Sequence, residues 1–209
     1  MKRRHGENAQ RRRAALMQAA VEVTAEKGMA GVTHRAVTER AGLPLATVGY
    51  FFESIDDLAV EALRTRVAAD AESMGVLAEK LKQQDSSPDE VAAAFAAAAG
   101  ALPRVEAMAF IEAFLHAARA PELRQVVVEA VDMGRGVAAA AAASLGDDNA
   151  DTGAFLALIH GYMLHSLAAP DRVDLDALLR GVRALFLGGL LDAGKVELAL
   201  ELAGRSARP

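Results

Sequence analysis

Residues 42–52 read GLPLATVGYFF, opening on a glycine and a proline and closing on three adjacent aromatics. Tyr50, Phe51 and Phe52 are a third of the aromatic residues in a chain with seven Phe, two Tyr and no Trp, so their crowding asks for a reason. Upstream, Thr33 is a good N-cap for a helix over 34–41, which Gly42 ends. Pro44 suits the first turn of a second short helix, 44 to about 52, because its missing N–H is unpaired there anyway. Two short helices joined by a tight glycine turn make a helix-turn-helix. Such a unit needs a small residue in its first helix, a glycine at the turn and an apolar residue facing back, and Thr38, Gly42 and Val48 stand at those places. Val37 and Val48 then close the angle between the helices, and Leu45 to Tyr50 reach base edges when the second helix lies in a DNA major groove.

Working outward, residues 11–27 form a helix with Ala15, Leu16, Ala19, Ala20 and Val23 on one face, stopped at Gly28. The run SIDD at 54–57 is a serine cap with a carboxylate three residues on, opening a long helix to about Lys82. QQDSSPDE is the clearest linker, and Pro88 begins a helix after it. Pro103 and Pro121 begin two more, to about Arg119 and Leu145. After the polar GDDNAD turn come helices at about 151–168 and 174–191, then a short terminal one. The expected fold class is all-α with nine to ten helices. Composition agrees: over half the residues are apolar, and alanine, the best helix former, dominates them.

Cysteine is absent, which excludes disulfides, thiolate metal sites and cysteine nucleophiles. Neither a signal core nor an apolar run of about 18 residues occurs, so the expectation is a soluble cytoplasmic protein with no membrane partner. The net charge of -5 conceals a split. Residues 1–52 carry nine Lys/Arg against four acids, whereas the remainder carries 14 against 24. A basic module that meets a polyanion, joined to an acidic body with another task, accounts for that asymmetry.

The stretch from residue 11 to about 64, RRRAALMQAAVEVTAEKGMAGVTHRAVTERAGLPLATVGYFFESIDDLAVEAL, resembles the N-terminal domain of the tetracycline-repressor (TetR) family of bacterial transcriptional regulators. The resemblance implies a DNA-binding domain over 1–53, an effector-binding and dimerisation domain over 54–209, and an operator of double-stranded DNA. It implies that Phe52 packs into the core while Tyr50 and Phe51 face the DNA backbone. DNA-contacting candidates are Arg11, Arg12, Thr33, Arg35, Pro44, Leu45, Thr47, Tyr50 and Phe51, with Arg3, Arg4 and Arg13 completing a basic arm. Three departures stand out. Leu45 and Ala46 give the recognition helix few hydrogen-bond donors, leaving Thr47 and Tyr50, with apolar contact to thymine methyls as the other option. Gly49 sits where the family carries a backbone-contacting tyrosine, and Ile55 where it carries a phosphate-gripping lysine. They motivate the alternative of a helical small-molecule-binding or scaffold protein that has lost specific DNA binding.

The resemblance also implies that the last two long helices pair with their copies in a homodimer. Large apolar stripes interleaved with small residues fit that pairing, and Ala157, His160, Gly161, Leu164, Leu178, Arg183 and Phe186 are the interface candidates. A pocket for a small-molecule effector is expected among Phe95, Met108, Ile111, Phe114, His116, Met133, Phe155 and Tyr162. Enzymatic and cofactor signals are weak. Glu112 and His116 make at most half a metal site, MGRGVA at 133–138 lacks the third glycine and the strand of a dinucleotide loop, and no nucleophile motif is present. The expected activity is ligand-responsive repression of transcription, with no cofactor and no metal.

Overall fold

The computed structural model describes residues 2–84, 88–119, 121–144 and 150–204, among which there are ten α-helices and no strand. Part of the QQDSSPDE linker (85–87), residue 120, residues 145–149 with most of the GDDNAD turn, and the last five residues lie outside the described residues, as do the side chains of Arg3 and Arg4. Helices α1 (Lys2–Lys27), α2 (His34–Ala41), α3 (Thr47–Phe51) and α4 (Ile55–Gln83) are followed by α5 (Pro88–Gly100), α6 (Arg104–Ala117) and α7 (Pro121–Ser144). Helices α8 (Thr152–Ala168), α9 (Leu175–Asp192) and α10 (Val196–Leu202) complete the chain. No described helix is long and apolar enough to cross a membrane.

The chain divides into two compact units. The first holds residues 1–69 and 103–130; the second holds 70–102 and 131–209. Helices α4 and α7 therefore each run from one unit into the other.

In the first unit α1 is the stem. Leu16, Ala19, Ala20 and Val23, read above as its apolar face, are all buried. Against them pack Val37 of α2, Val48 of α3, Phe52, Leu58 and Leu63 of α4, and the alanines of α6. Burial of each Val or Leu here contributes on the order of 1.5–3 kcal/mol. Thr24, buried with them, satisfies its hydroxyl by donating to the carbonyl of Ala20 at 2.8 Å. Helix α1 starts nine residues before the expected position, because nothing in KRRHGENAQ other than a tolerated Gly6 interrupts a helix.

The turn is built as its sequence requires. The Thr33 hydroxyl caps α2 by accepting from the Ala36 N–H at 3.1 Å. Gly42 takes the left-handed conformation (φ 65°), the Gly42 N–H donates to the Glu39 carbonyl, and the Leu43 N–H reaches the Thr38 carbonyl at 2.9 Å. That double bond pattern is the Schellman closure of a helix. Thr38 is buried with its hydroxyl donating to the His34 carbonyl at 2.7 Å. Helix α3 is shorter than expected. Ala46 offers no side-chain cap, so Pro44 to Thr47 closes as an i to i+3 turn (2.9 Å) and regular helix begins only at Thr47.

The second unit has two linked apolar clusters. Leu178, Val182 and Phe186, with Ala96 and Ala142, form one; Ala78, Val91, Phe95 and Ala141 form the other. Phe155 belongs to both, its ring 6.2 Å from Phe95 and 6.2 Å from Phe186. Glycines set the helix spacing. A Cβ on Gly134 would stand 2.9 Å from Leu156, and one on Gly181 would stand 3.1 Å from Leu158, so α7 and α9 both approach α8 closely. Glycines 134 and 136 thus belong to a continuous helix, as the missing third glycine anticipates.

Two measurements test this account. Gly42→Ala places a Cβ in open space but in a left-handed backbone, so it should cost about 1 kcal/mol of unfolding free energy in urea. His160, on α8, has its pKa lowered by burial. The unfolded chain therefore binds its proton first, and stability should fall as pH drops below about 6.5, the ordinary histidine value. Urea midpoints between pH 7.5 and 5.5 should decline less in His160→Gln than in the parent.

Candidate nucleic-acid interface

The three crowded aromatics are divided by depth. Phe52 is buried, with the Arg13 guanidinium 5.0 Å over its ring. Phe51 is half-buried against the same core and meets Tyr50 edge-on at 4.7 Å. Tyr50 is 78% exposed, and Leu45, in the turn before α3, is 61% exposed. Tyr50 and Leu45 thus present large side chains outward on either side of the start of α3.

The arginines divide as sharply. Arg13 pairs with Glu61 and donates to the sulfur of Met17, which fastens α1 to α4. Arg40 pairs with Glu26 and, at 3.3 Å, with Glu22, fastening α2 to α1. Its pKa is raised, chiefly by the hydrogen bond to Glu26. Arg35 is exposed but is held by Glu39 at 2.7 Å, a hydrogen bond that raises its pKa. Arg11 and Arg12 are exposed, and no hydrogen bond or ion pair engages them among the described residues.

Those two arginines line a groove of about 730 Å³ together with Asn8 and Ala9 of α1, Ala46, and Thr47, Tyr50 and Phe51 of α3. Five expected contacts (Arg11, Arg12, Thr47, Tyr50, Phe51) therefore converge. Leu45 and Pro44 are exposed in the adjoining turn. Thr33 is exposed with its hydroxyl committed to the cap. Asn8 and Ala9 are additions to the expected set, which already includes Ala46 in the range Leu45 to Tyr50. The spacing of Asn8 to Arg11 and Arg12, three and four residues, puts them on one helical face once α1 is known to extend past residue 11. Ile55 is half-buried against the core, so the position expected to grip phosphate carries a packing residue.

In the second unit a cavity of about 450 Å³ is bounded by Ala138 of α7, the start of α8 and the end of α9. Phe155, Leu185, Phe186, Asp151 and Asp192 give it most of its character. Asp151 caps α8, accepting from the N–H groups of Gly153 and Ala154. Of the expected effector residues, Phe155 lines this cavity, Phe95 is buried beside it, and Tyr162 packs on the Leu178 cluster. Met133 is half-buried on α7. Met108, Ile111, Phe114 and His116 stand on α6 in the first unit, where Phe114 packs on Phe110 at 4.6 Å. Glu112 lies against Gly28, and no cluster of three metal-ligating side chains forms among the described residues.

The residues expected at a dimer interface also separate. Leu178 and Phe186 are buried in the core of their own chain, because positions 178, 182, 186 and 190 form the inward stripe of α9. The Arg183 guanidinium donates to the Leu202 carbonyl at 3.1 Å. Ala157 and Leu164 are exposed, and His160 and Gly161 are half-buried.

Two family models cover these regions. Residues 16–62 match the model for bacterial regulatory proteins of the tetR family, and residues 86–186 match the tetracyclin repressor-like C-terminal domain. The chain belongs to the TetR family. Solved structures agree. A TetR family member from Streptomyces coelicolor A3 is 27% identical with a TM-score of 0.69, covering 83% of this chain and 97% of its own. The multidrug binding protein EbrR, complexed with proflavin, is 28% identical with a TM-score of 0.59, covering 83% and 99%. A regulator from Saccharomonospora viridis in complex with choline is 18% identical with a TM-score of 0.68, covering 82% and 93%, a likeness of fold. No curated protein matches the chain. TetR proteins are transcriptional regulators rather than enzymes.

The division among the arginines has a measurable consequence. Arg12→Ala should leave the urea midpoint unchanged but flatten the dependence of log K for duplex DNA on log salt by about one unit. Arg13→Ala should lower the urea midpoint and leave that salt slope alone.

Proposed function

We propose that this TetR protein is a homodimeric repressor, bound to a palindromic operator through the helix-turn-helix and released by a small-molecule inducer. In this reading residues 1–53 bind DNA and residues 54–209 bind the effector and the second subunit. The observation that carries it is the pairing of an exposed α3 with two unengaged arginines across one groove. Arg11 and Arg12 would take phosphates, while Thr47 and Tyr50 would reach base edges or sugar-phosphate.

The dimer rests on α8. Its 17 residues are mostly apolar, yet none is fully buried in the chain. Leu164 on α8 and Leu191 on α9 are exposed, and a Cβ on Gly161 would meet nothing within 4 Å. Small residues under open space let a partner's helix come close, and the isologous pairing of α8 and α9 would bury both stripes. Two subunits would set two α3 helices on one face of a palindrome. The effector site is assigned to the second unit, whose 450 Å³ cavity is of the size small molecules fill. EbrR, the relative carrying proflavin, supports a small organic effector. Release follows when the effector prefers the conformer whose recognition helices do not match the operator.

Fluorescence anisotropy against the DNA flanking its own gene, with an unrelated duplex as competitor at two salt concentrations, tests the reading. Binding should survive competitor and the higher salt; equal loss from both duplexes would favour the helical binding protein without an operator. Leu164→Glu should convert the dimer to a monomer in sedimentation and weaken operator binding at least tenfold, with the helical content of the chain retained.

A further inference from the structure

The recognition helix carries a residue that its own fold does not require. Gly49 lies exposed inside α3, and it is not among the positive-φ glycines, which are 28, 42, 194 and 204. A Cβ built on it meets nothing within 4 Å among the described residues. Glycine within a helix costs roughly 0.5–1 kcal/mol relative to alanine, and α3 has only five residues over which to absorb that. Torsion and packing, the two intramolecular reasons for glycine, are both absent at this position.

The neighbours of Gly49 are unusual for a base-reading surface. Leu45, Ala46 and Tyr50 are exposed and Thr47 half-exposed, with no cation and no side-chain amide among them. Bidentate recognition of guanine needs Arg or Lys, and that of adenine needs Asn or Gln. Neither chemistry exists on residues 45–50. What remains is apolar contact, with the hydroxyls of Thr47 and Tyr50 as adjuncts. In the major groove the one apolar feature of a base edge is the C5 methyl of thymine.

We propose that α3 reads its half-site through thymine methyl groups packed against Leu45 and Ala46, with Gly49 letting the helix backbone settle against the base edges at a distance any side chain would prevent. This inference rests on the operator-binding reading above and names what that operator contains. The 61% exposure of Leu45 then has a cause, because its apolar surface is completed by DNA. Arg11 and Arg12, on the rim of the same groove, hold the helix at depth through phosphates without reading sequence. Gly49 is a positioning residue in this scheme, and Leu45 and Ala46 are the specificity determinants.

The experiment begins with selection of binding duplexes from a random pool by the full-length protein. Selected half-sites should carry A·T pairs beneath α3. Replacing single dT residues there by dU, which removes only the methyl, should weaken binding about fourfold per contacted methyl, the loss expected for one buried methylene-sized group. Gly49→Ala should raise the melting temperature yet reduce operator affinity at least tenfold, and its affinity for unrelated duplex should be unchanged. A selected operator indifferent to dU, or a stabilised Gly49→Ala that binds it as tightly as the parent, overturns this inference while leaving the repressor intact. A pool from which no sequence emerges overturns both.

Discussion

Everything in the first unit depends on the burial of one apolar seam along α1. Leu16, Ala19, Ala20 and Val23 have no other means of leaving water than to be covered by α2, α3, the start of α4 and α6. Val37, Val48 and Phe52 supply that cover, and they are the inward-facing residues of the helix-turn-helix. The orientation of α3 is thus a by-product of core packing. Its outward face is fixed because its inward face, Val48, has nowhere else to go. A five-residue helix is far below the length at which helices hold themselves in water, so α3 exists only because that seam holds it.

The same economy governs charge. Arg13 and Arg40 spend their guanidinium groups on carboxylates within the unit, each pair contributing no more than about 1 kcal/mol at such exposure. Arg11 and Arg12 spend nothing, although all four belong to one basic-rich stretch. Net charge does not distinguish them; position on the helix does. Arg11 and Arg12 stay exposed with no hydrogen bond or ion pair among the described residues, whereas Arg13 lies over Phe52 and reaches Glu61.

That contrast shows how far the sequence was legible. Period, caps and turn chemistry are local, so the helices, the glycine turn and the threonine cap are readable from residues 11–64, whereas the division of the aromatics comes only with the resemblance and Phe51 is half-buried rather than exposed. Helix α1 starts earlier than the charged run suggests because that run holds no strong helix breaker, and α3 starts later than Pro44 suggests because the proline opens a turn rather than regular helix. The second half was harder for a physical reason. Helix α8 is apolar nearly all round, and its periodicity then gives no inward face. Leu178 and Phe186 looked like interface residues as plausibly as Leu164 did, and only packing against Ala96, Ala142 and Phe155 separates them. The effector candidates on α6 shared composition with those on α8, but contact, not composition, assigns them to different units.

The buried face of α6 consists of Ala107, Ala109, Ala113 and Ala117, without one larger side chain. Where one side of a helix contact offers only methyl groups, that side has almost nothing to trim and little room to grow. The usual evolutionary latitude of a core, in which one leucine shrinks while its neighbour swells, is closed at that junction, since each enlargement overpacks it at about 1–3 kcal/mol. Divergence in this lineage is therefore channelled toward residues the core does not hold. Leu45, Ala46, Gly49 and Tyr50 are of that kind, exposed and outside the core, so they can be exchanged while the frame stays almost unaltered.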